Sequence, residues 1–546
     1  MKFNKLLMLV LLLMLSVVLV ACGTKEEESG TGDDGKDTET TSEPKELNLV
    51  FSAEPPYLHP GLASDTTSST AINTIFEGLM AMKDGQPIPA AAEKYEVSDD
   101  LLTYTFTIRE NVWSNGDPVT AGDFEYAWKW ALNPENASEY ASILYPVKGA
   151  EAYNLGEGAV EDVGVVAEDD KTLVVTLEVP TPYFLELTAF KTLNPIHKAT
   201  QEANANWYTE AESIVSNGPY NLTEWVHNGN LTFEKSDTYW DKENVNIDVI
   251  NVAIVESEAS QMNMFDNDEI DFLGTNYGSV SLDAIDRLQS EGSLNIVPYS
   301  GIYWYKFNTT DEHLKNVNIR KALALAIDRT ALIKNITKGG QEVALGIVPN
   351  SVEGFGDDEG YFKDGNFTEA KEYLAKGLEE LGLASAADLT VKISYNTSEA
   401  HAAIAQFIQQ GWKTELGINV TLDNAEWQVY LDNLSNLNYQ VGRLGWIADY
   451  NDAYTFLEMY NSKDNGNNDT GWENAQYTEL LKQSVVEKDA KKRTSILLEA
   501  EKIMMDEMPV APIYFYTNLY ISKDHVTGME PDGLGNIYIK GVDIKK

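Results

Sequence analysis

Short apolar runs recur along the chain and predict β-strands. Each run has five to seven residues, is rich in β-branched or aromatic side chains, and alternates in part between apolar and polar positions. The runs are residues 47–51, 103–109, 172–178, 231–235, 249–255, 391–395 and 418–422. Between them, apolar residues at helical spacing predict helices over residues 318–336, 368–381, 400–416 and 483–505. This alternation predicts an α/β protein with several mixed sheets.

The first residues of the chain have the pattern of an export signal. Two lysines precede an almost wholly apolar run over residues 6–21, which is shorter than the roughly 20 residues needed to span a bilayer. We predict a signal peptide over residues 1–21, with a short uncleaved anchor as the alternative. The run ends in Leu-Val-Ala-Cys, which resembles a lipobox, and Cys22 is the only cysteine in the chain. The resemblance implies a lipid on Cys22 that attaches the protein to the membrane, and a lone cysteine excludes an internal disulfide.

The segment that follows Cys22 is predicted to be unstructured. Between Lys25 and Asn48 there are nine acidic residues and three lysines, and no large apolar residue occurs before Leu47. Such a composition cannot bury enough apolar surface to offset the entropy lost on ordering. Residues 22–46 are therefore predicted to form a disordered acidic tether between the lipid and the folded body.

Length and charge bound what the folded body can be. The chain has 546 residues and a formal net charge of −46. Even without the signal and the tether, the chain is too long for a single hydrophobic core, which indicates two or three domains. The acidic balance argues against nucleic-acid binding, because that binding depends on Lys and Arg side chains that neutralise phosphates.

Sequence motifs for catalysis are missing. The six histidines form no His-Glu-x-x-His motif and no i, i+4 pair, and neither a Gly-x-Ser-x-Gly elbow nor a P-loop occurs. Residues 464–469 (DNGNND) are dense in oxygen ligands but lack the spacing and the terminal glutamate of an EF-hand loop. A polar turn is favoured there over a calcium site. We predict no enzymatic activity, no cofactor and no metal site.

Four short stretches carry a more specific signal. They are residues 78–95 (GLMAMKDGQPIPAAAEKY), residues 113–124 (WSNGDPVTAGDF), Asn217-Gly-Pro-Tyr220 with Tyr239-Trp240, and residues 443–452 (RLGWIADYND). The second stretch also predicts a turn that leads into a Thr-capped helix. In this order, the four stretches resemble the extracellular solute-binding proteins of peptide ABC importers, family 5, and most closely the oligopeptide-binding lipoproteins. The resemblance extends from about residue 47 to the C-terminus.

The resemblance implies a fold and a division into domains. The fold would be α/β and bilobal, of the periplasmic-binding-protein type II, with mixed sheets, a hinge between the lobes and an extra domain. Lobe I would be assembled from residues 47–66, 197–300 and 517–546. The extra domain II would span residues 67–196, and lobe III would span residues 301–516.

The resemblance also implies how a ligand binds. In this family a peptide lies extended between the closing lobes and is hydrogen-bonded along its main chain like an added strand. Its α-ammonium meets an aspartate of the motif that residues 443–452 resemble, and that aspartate aligns with Asp449. Because a charge withdrawn from water needs a partner, we expect the ligand to supply the counter-ion of Asp449 as the lobes close.

Four further side chains are implied to contact the ligand. Trp446 and Trp427 would wall side-chain pockets, with core packing as the alternative. Arg443 would meet the C-terminal carboxylate of a short peptide, with a structural ion pair as the alternative. His401 matches a position that reaches the C-terminal end of the ligand in relatives, or else it lies at the surface at the start of a helix.

Two tyrosines and two departures complete the comparison with the family. Tyr140 and Tyr299 align with contacts to the peptide main chain. Some relatives have a cysteine where this chain has Ile447, paired near the strand that holds Tyr299, so that brace is absent here. Lys306 stands where a relative has an acid, which puts the C-terminal contacts of longer peptides in doubt.

These expectations combine into a predicted function. The protein would be a monomeric, lipid-anchored receptor at the extracytoplasmic face of a Gram-positive cell membrane. It would capture oligopeptides and deliver them to a membrane permease driven by ATPases. Alternative cargoes are a signalling peptide, a nickel chelate, haem or a sugar, and Asp449 argues against the last three because it selects an α-amine. A surface enzyme or chaperone-like lipoprotein is the alternative from another class, and turnover of the ligand would identify the enzyme.

Overall fold

The computed structural model describes residues 44–355 and 360–545. The predicted signal peptide, the predicted lipidation site Cys22 and residues 22–43 of the predicted tether lie outside the described residues. Glu46, which we assigned to the tether, is the first residue of a strand and pairs with Val249. The first strand therefore begins one residue earlier than the composition suggests.

Short helices and strands alternate through most of the described chain. The strands are β1 Glu46–Phe51, β2 Met80–Lys83, β3 Gln86–Pro89, β4 Ala92–Val97, β5 Thr103–Ile108, β6 Val165–Asp169, β7 Thr172–Thr176, β8 Tyr220–Val226, β9 Asn230–Lys235, β10 Val249–Ile254, β11 Phe272–Gly274, β12 Asn295–Phe307, β13 Glu342–Val343, β14 Thr390–Asn396, β15 Asn419–Ala425, β16 Val441–Ile447, β17 Val510–Ser522, β18 Val526–Thr527 and β19 Asp543–Ile544. The α-helices are α1 Thr66–Ile75, α2 Ala121–Leu132, α3 Ala150–Asn154, α4 Phe184–Leu187, α5 Lys198–Ala203, α6 Glu258–Asp266, α7 Ile285–Glu291, α8 Val317–Leu325, α9 Arg329–Leu332, α10 Phe367–Leu381, α11 Glu399–Glu415, α12 Trp427–Ser435, α13 Tyr454–Leu457, α14 Ala475–Val486 and α15 Ala490–Glu507.

The strands assemble into sheets of mixed direction. One sheet has the order β1-β10-β9-β8, with β1 parallel to β10 and the other pairs antiparallel. A second, antiparallel sheet has the order β4-β5-β7-β6. The largest sheet has the order β11-β17-β12-β16-β14-β15, with β13 added to β17. It combines parallel pairing of β14 with β15 and β16 and antiparallel pairing elsewhere. The α/β class with mixed sheets is confirmed.

Two strands of 13 residues, β12 and β17, lie side by side in the largest sheet. Along β12, Ile302 and Trp304 belong to one hydrophobic cluster, whereas Tyr303 and Tyr305 belong to another. The alternation follows from the two-residue period of a strand, which points successive side chains to opposite faces. A single strand therefore contributes to two cores.

The division into lobes stays a prediction, and each sheet can be compared with the segments that the family resemblance suggested. The first sheet is built from residues 47–66 and 197–300, except for Glu46, and the second from residues 67–196. Strands β14 to β16 come from residues 301–516. The predicted boundaries after residues 300 and 516 fall inside β12 and β17, so these two strands run from one predicted lobe into the other.

The region predicted as one helix over residues 318–336 is interrupted. It forms α8, α9 and a π-helical turn. Asp328 starts the second helix by accepting a 2.8 Å hydrogen bond from the Ala331 amide. The buried guanidinium of Arg329 donates a 2.7 Å hydrogen bond to the carbonyl oxygen of Pro512 in β17. The single-helix prediction is wrong because apolar spacing alone does not register a cap inside the pattern.

A second predicted helix is also divided. Residues 483–505 contribute to α14 and α15, which are separated at residues 487–489. The side chain of Asp489 accepts a 3.0 Å hydrogen bond from the Lys492 amide and caps α15. Here too, an aspartate inside an apolar pattern starts a new helix.

The turn and the capped helix predicted from WSNGDPVTAGDF are confirmed. The side-chain oxygen of Asn115 accepts a 3.0 Å hydrogen bond from the Asp117 amide and closes the turn. Thr120 precedes α2, and its amide donates a 2.8 Å hydrogen bond to the carboxylate of Asp123 in the first turn of the helix. This pairing fixes the start of α2.

Candidate functional site

A cavity of about 530 Å³ lies alongside β16. Side chains from β12, α11, α12, β16 and the loop after β16 meet there, although they are far apart in sequence. All of the binding residues predicted from the sequence line it, namely Tyr140, Tyr299, His401, Trp427, Arg443, Trp446 and Asp449. The fold therefore brings these side chains together, and their contact with a ligand stays a prediction.

Strand β16 has a largely unpaired edge at this cavity. It pairs with β12 along its whole length, but on the other side only Val441 and Gly442 pair with β14. Residues 443–449 line the cavity, and no other described strand pairs with that part of the edge. Such an edge presents backbone N–H and C=O groups to which an extended chain can add as a further strand.

Asp449 lies deep in the protein and is partly exposed where it lines the cavity. Its carboxylate accepts only long hydrogen bonds, at 3.5 Å from the Tyr140 hydroxyl and 3.4 Å from the Thr455 hydroxyl. Across residues 44–355 and 360–545, no Lys, Arg or His nitrogen lies within 4.0 Å of it. Burial raises the pKa of Asp449 to about 7, against the opposing charge of Lys191. The protein thus leaves this carboxylate poorly satisfied and open to a cation.

Lys191 is the protein cation near Asp449, and the sequence analysis missed it. The side chain is 2% exposed, and its ammonium lies 4.0 Å from the ring centre of Tyr140 and 4.1 Å from that of Phe190. Among the described side chains, none places a carboxylate oxygen within 4.0 Å of this ammonium. Burial lowers the pKa of Lys191 to about 8, although the charge of Asp449 raises it. Asp449 therefore has an electrostatic neighbour in the protein but no ion pair.

Trp446 and Tyr140 form one wall of the cavity near Asp449. Their rings are stacked at 5.9 Å between centres and 9° between planes, and both side chains are largely buried. The indole N–H of Trp446 donates a 3.4 Å hydrogen bond to Thr455, which also binds Asp449. Core packing and cavity lining, the two alternatives for Trp446, therefore both apply.

Arg443 places a positive charge on the same strand. Its guanidinium donates to the side-chain oxygen of Asn396 at 3.2 Å and to the Tyr516 hydroxyl at 3.1 Å, and it lies 4.7 Å from the ring centre of Tyr303. Its Nε is buried without a hydrogen-bond partner. The alternative of a structural ion pair is not realised within the described ranges, because no Asp or Glu oxygen there lies within 4.0 Å. The guanidinium is therefore available to an anionic group.

His401 lies on the cavity wall at the start of α11. Its Nδ1 is 3.3 Å from the Tyr303 hydroxyl. Burial and the charge of Arg443 hold the pKa of His401 well below its usual range, so the imidazole is neutral at physiological pH. It can hydrogen-bond a ligand but cannot attract a carboxylate by charge. His401 is also partly exposed in the first turn of α11, and its contact with a ligand stays a prediction.

Trp427 and Tyr299 complete the predicted set. Trp427 is the first residue of α12, is partly exposed, and stacks on Tyr430 at 6.4 Å between ring centres. This exposure favours a cavity wall over core packing. Tyr299 lies on β12, largely buried, with its ring 6.0 Å from that of Tyr516.

Lys306 has a structural role, because it binds the loop of residues 464–469. Its fully buried ammonium donates 2.8 Å hydrogen bonds to the carboxylate of Asp469 and to the carbonyl oxygen of Asn467. A lysine thus occupies the oxygen atoms that a calcium ion would need. In the described part of the chain, no group of three or more His, Cys, Asp or Glu side chains is arranged to hold a metal ion. Likewise, no described helix combines the length and hydrophobicity that a bilayer crossing requires.

Comparison with known proteins gives the family. Residues 86–468 match the model described as "Bacterial extracellular solute-binding proteins, family 5 Middle". Over 540 residues, the chain is 48% identical to the oligopeptide-binding protein OppA of Bacillus subtilis, covering 98% of each chain. The chain is a family 5 extracellular solute-binding protein. The structure of Listeria monocytogenes OppA bound to peptide matches it with a TM-score of 0.86 at 31% identity, over 92% of this chain and all of that one.

Family membership bears on three earlier predictions. The solved relatives confirm the bilobal, periplasmic-binding-protein-like fold with mixed sheets. The family consists of transport proteins that bind solutes, which confirms that this solute-binding protein is not an enzyme. It also places the protein on the extracytoplasmic side of the membrane.

Two structures of one relative indicate the conformation. The murein tripeptide-binding protein MppA of Escherichia coli matches with a TM-score of 0.87 in one structure and 0.59 in its unliganded open form. Identities are 29% and 30%, and both matches cover 92% of this chain. Because the relative is the same protein in both cases, the difference in score comes from its conformation. The solute-binding protein described here is therefore not in the open arrangement.

One of the family stretches packs away from the cavity, around Glu77. Its carboxylate accepts hydrogen bonds from the Tyr239 hydroxyl and, at 2.7 Å, from the Trp240 indole N–H. The side-chain amide of Asn217 binds the backbone of Glu77 at 3.0 and 2.9 Å. The ammonium of Lys540 lies 3.2 Å from the Tyr239 hydroxyl. These residues hold the solute-binding protein together and are not among those that line the cavity.

Proposed function

We propose that this solute-binding protein captures oligopeptides in extended form and delivers them to the membrane permease of an ABC importer, driven by its ATPases. It acts as a monomer, anchored by a lipid on Cys22 to the outer face of a Gram-positive cell membrane. Relatives named for oligopeptide binding, one of them solved with a peptide, support this. The observation that carries the proposal is a pair of opposite charges, Arg443 on β16 and Asp449 two residues beyond the end of that strand. Neither has an ion-pair partner among the described residues.

The spacing of these charges suits a zwitterion. Arg443 and Asp449 are six residues apart along extended backbone, a span of roughly 20 Å at about 3.3 Å per residue. The α-ammonium of a peptide pairs with Asp449, and its C-terminal carboxylate pairs with Arg443. Charge-assisted hydrogen bonds of this kind are stronger than neutral ones. A nickel chelate, haem or a sugar has no α-ammonium and would leave Asp449 without a counter-ion.

The free edge of β16 explains how the protein accepts peptides of many different sequences. A peptide that adds to residues 443–449 as a strand gains main-chain hydrogen bonds that do not depend on its side chains. Trp427, Trp446, Tyr140 and Tyr299 supply apolar surface for the side chains and main chain of the ligand. Affinity then comes from the main chain and the termini of the peptide, while the cavity walls set the preference for particular peptide side chains.

The two long strands supply the hinge. β12 and β17 run from predicted lobe I into predicted lobe III, so a change in their backbone alters the angle between the lobes. A register shift in their pairing between Pro298 and Ile302 marks an irregular point beside the boundary after residue 300. We place the closing motion there.

Calorimetry with a peptide recovered from the purified protein tests the function. The peptide is identified by mass spectrometry and synthesised with a free and an acetylated N-terminus. Removing one partner of a buried charge pair costs ~3–5 kcal/mol, so acetylation is expected to reduce affinity more than about a hundredfold. Equal affinities would refute the role of Asp449, and an absence of bound peptide would refute the function itself.

Membrane attachment is tested separately. Cys22→Ser removes the thiol that would carry the lipid. Cell fractionation should show the variant in the medium and the unaltered protein in the membrane fraction. Retention of the variant on the membrane would refute lipidation at Cys22.

A further inference from the structure

Two helices near the cavity, α6 and α11, begin with the same tripeptide. Residues 257–259 and residues 398–400 both read Ser-Glu-Ala, at the starts of α6 and α11. In each helix the serine is the N-cap, and its hydroxyl accepts a hydrogen bond from the amide three residues later, at 3.2 and 3.1 Å. Each glutamate is thereby left free to reach outside its own helix.

The glutamates are exchanged between the two helices. Glu258 of α6 accepts a 2.6 Å hydrogen bond from the Ser398 hydroxyl and a 3.3 Å bond from the Ala400 amide. In return, Glu399 of α11 accepts a 3.0 Å bond from the Ser257 hydroxyl and a 3.2 Å bond from the amide of residue 259. Each carboxylate therefore lies at the positive end of the partner helix, where a negative charge is stabilised.

This exchange joins parts of the molecule that have separate cores. Met262 of α6 packs in a cluster with Val50 and Ile270. Ile404 of α11 packs in the other cluster, which contains Tyr303. The contact between the helix starts is polar, so it can form and break without exposing either core to water.

Both helices also hold cavity walls. On α6, Gln261 donates a 3.0 Å hydrogen bond to the Ser52 hydroxyl and accepts a 2.7 Å bond from the Ser279 amide, and both serines line the cavity. On α11, His401 directly follows the tripeptide and lines the cavity as well. Joining the two helix starts therefore fixes the distance between two walls.

We propose that the reciprocal caps of Glu258 and Glu399 form a latch that holds the cavity closed around its ligand, with both glutamates acting as positioning residues. The latch rests on the proposed function, because that function says which ligand the cavity encloses. Its effect on closure does not depend on the identity of the ligand. The two carboxylates repel each other, and Glu258 is only 4% exposed, with a pKa raised by burial and by the charge of Glu399. The latch therefore holds two like charges close together, and each is stabilised by the hydrogen-bond donors at the start of the partner helix.

The closed fraction without ligand gives the first measurement. Spin labels are attached to Glu269→Cys and Gln406→Cys, both exposed, in a full chain that also carries Cys22→Ser. Pulsed electron resonance then reports the distance between α11 and the loop that follows α6. Glu399→Ala is expected to shift this distribution towards longer distances, and Glu258→Ala is expected to do so more strongly.

The second measurement is the rate at which bound peptide leaves, with a tryptic digest of casein as the probe. Loss of charged hydrogen bonds across the latch should speed dissociation about tenfold in either variant. Glu369→Ala is the matched control, because it removes an acid from the first turn of α10, where Glu369 is bonded only within its own helix end. The control should leave both the distances and the dissociation rate unchanged.

The outcomes separate the latch from the proposed function. Unchanged distances and rates in Glu399→Ala, whose side chain is exposed, overturn the latch. An equal effect of Glu369→Ala also overturns it, because the effect would then belong to any helix start. Shifted distances in a protein that binds none of the peptides support the latch and refute the peptide function.

Discussion

Two carboxylates that lie deep in this protein differ in how the protein satisfies them. Glu77 receives hydrogen bonds on both oxygens, from Tyr239 and Trp240. Asp449 also has two neutral donors, but at 3.4 and 3.5 Å they are at the limit of bonding. The contrast is between a carboxylate with a complete set of partners and one whose set is incomplete.

The lysines near these two carboxylates also differ in how completely they are paired. Lys540, beside Glu77, is also paired with Asp241 at 2.6 Å. Lys191, beside Asp449, contacts aromatic rings and makes no ion pair with another described residue. Burial raises the pKa of both Glu77 and Asp449, so the direction of the pKa shift does not separate a structural carboxylate from a binding one. The completeness of the hydrogen bonds to the carboxylate does separate the two.

The largest effect is expected from Glu77→Ala. It removes the acceptor of the Tyr239 hydroxyl and of the Trp240 N–H and leaves these buried groups unpaired. Because each buried donor left unpaired costs ~1–3 kcal/mol, the free energy of unfolding should fall by ~2–6 kcal/mol, measured by chemical denaturation. Peptide affinity of the folded fraction should be unchanged. Glu96→Ala, on an exposed side chain, is the control. Loss of affinity without loss of stability would reverse the comparison.

The next effect is expected from Asp449→Asn. It removes the charge that pairs with the ligand, so affinity should fall more than about a hundredfold by calorimetry. The unfolding free energy should not fall, because the empty protein no longer holds a poorly paired charge away from water. Asp432→Asn, on the exposed face of α12, should bind as the unaltered protein does. A large drop in melting temperature would show that Asp449 is structural.

Affinity is expected to depend on pH through Asp449. The empty protein holds a proton on this carboxylate with a pKa of about 7, whereas the complex with a cationic N-terminus requires the ionised form. Binding must therefore release a proton below that pH, and affinity should fall about tenfold per pH unit as the pH decreases. Affinity for the N-acetylated peptide should stay flat, and a parallel decline would assign the titration to another group.

Lys191→Met should move that pH dependence. The ammonium of Lys191 lowers the pKa of Asp449, so its removal should raise the midpoint of the affinity curve by about one pH unit. Lys198→Met, at an exposed position of the same region, is the control. If the midpoint does not move, Lys191 is not coupled to Asp449.

The smallest effect is expected from Trp427→Ala. The side chain lines the cavity without contacting Asp449 or Arg443 through any hydrogen bond described above. Affinity for a given peptide should change less than about tenfold, while the set of peptides retained from a digest should shift, as read by mass spectrometry. Val429→Ala, exposed on the same helix, should retain the original set.

Much of the fold could be predicted from hydrophobic pattern. Residues 103–109 and 249–255 form β5 and β10 within one or two residues of the predicted ends. The failures share a cause, because Asp328 and Asp489 each cap a new helix inside a continuous apolar pattern. Helical spacing shows which face is buried, but it does not show where the backbone leaves the helix.

The site was predicted only where a motif carried it. Asp449 and Arg443 were found because they lie in one short stretch with a family resemblance. Lys191 was missed because it lies in an apolar segment, and its position near Asp449 depends on the packing of residues more than 250 positions apart. A lone lysine between Phe190 and Thr192 was the one local signal. Glu258 and Glu399 were missed because their contacts also depend on the packing of segments far apart in the sequence, although the repeated Ser-Glu-Ala could have been noticed.

The alternation of side chains along β12 has a consequence for how the molecule melts. Ile302 and Trp304 belong to one core, and Tyr303 and Tyr305 to the other. Removing β12 from one core also removes it from the other. The two cores therefore cannot denature independently. A calorimetric scan of the ligand-free protein should therefore show one heat-absorption peak rather than two.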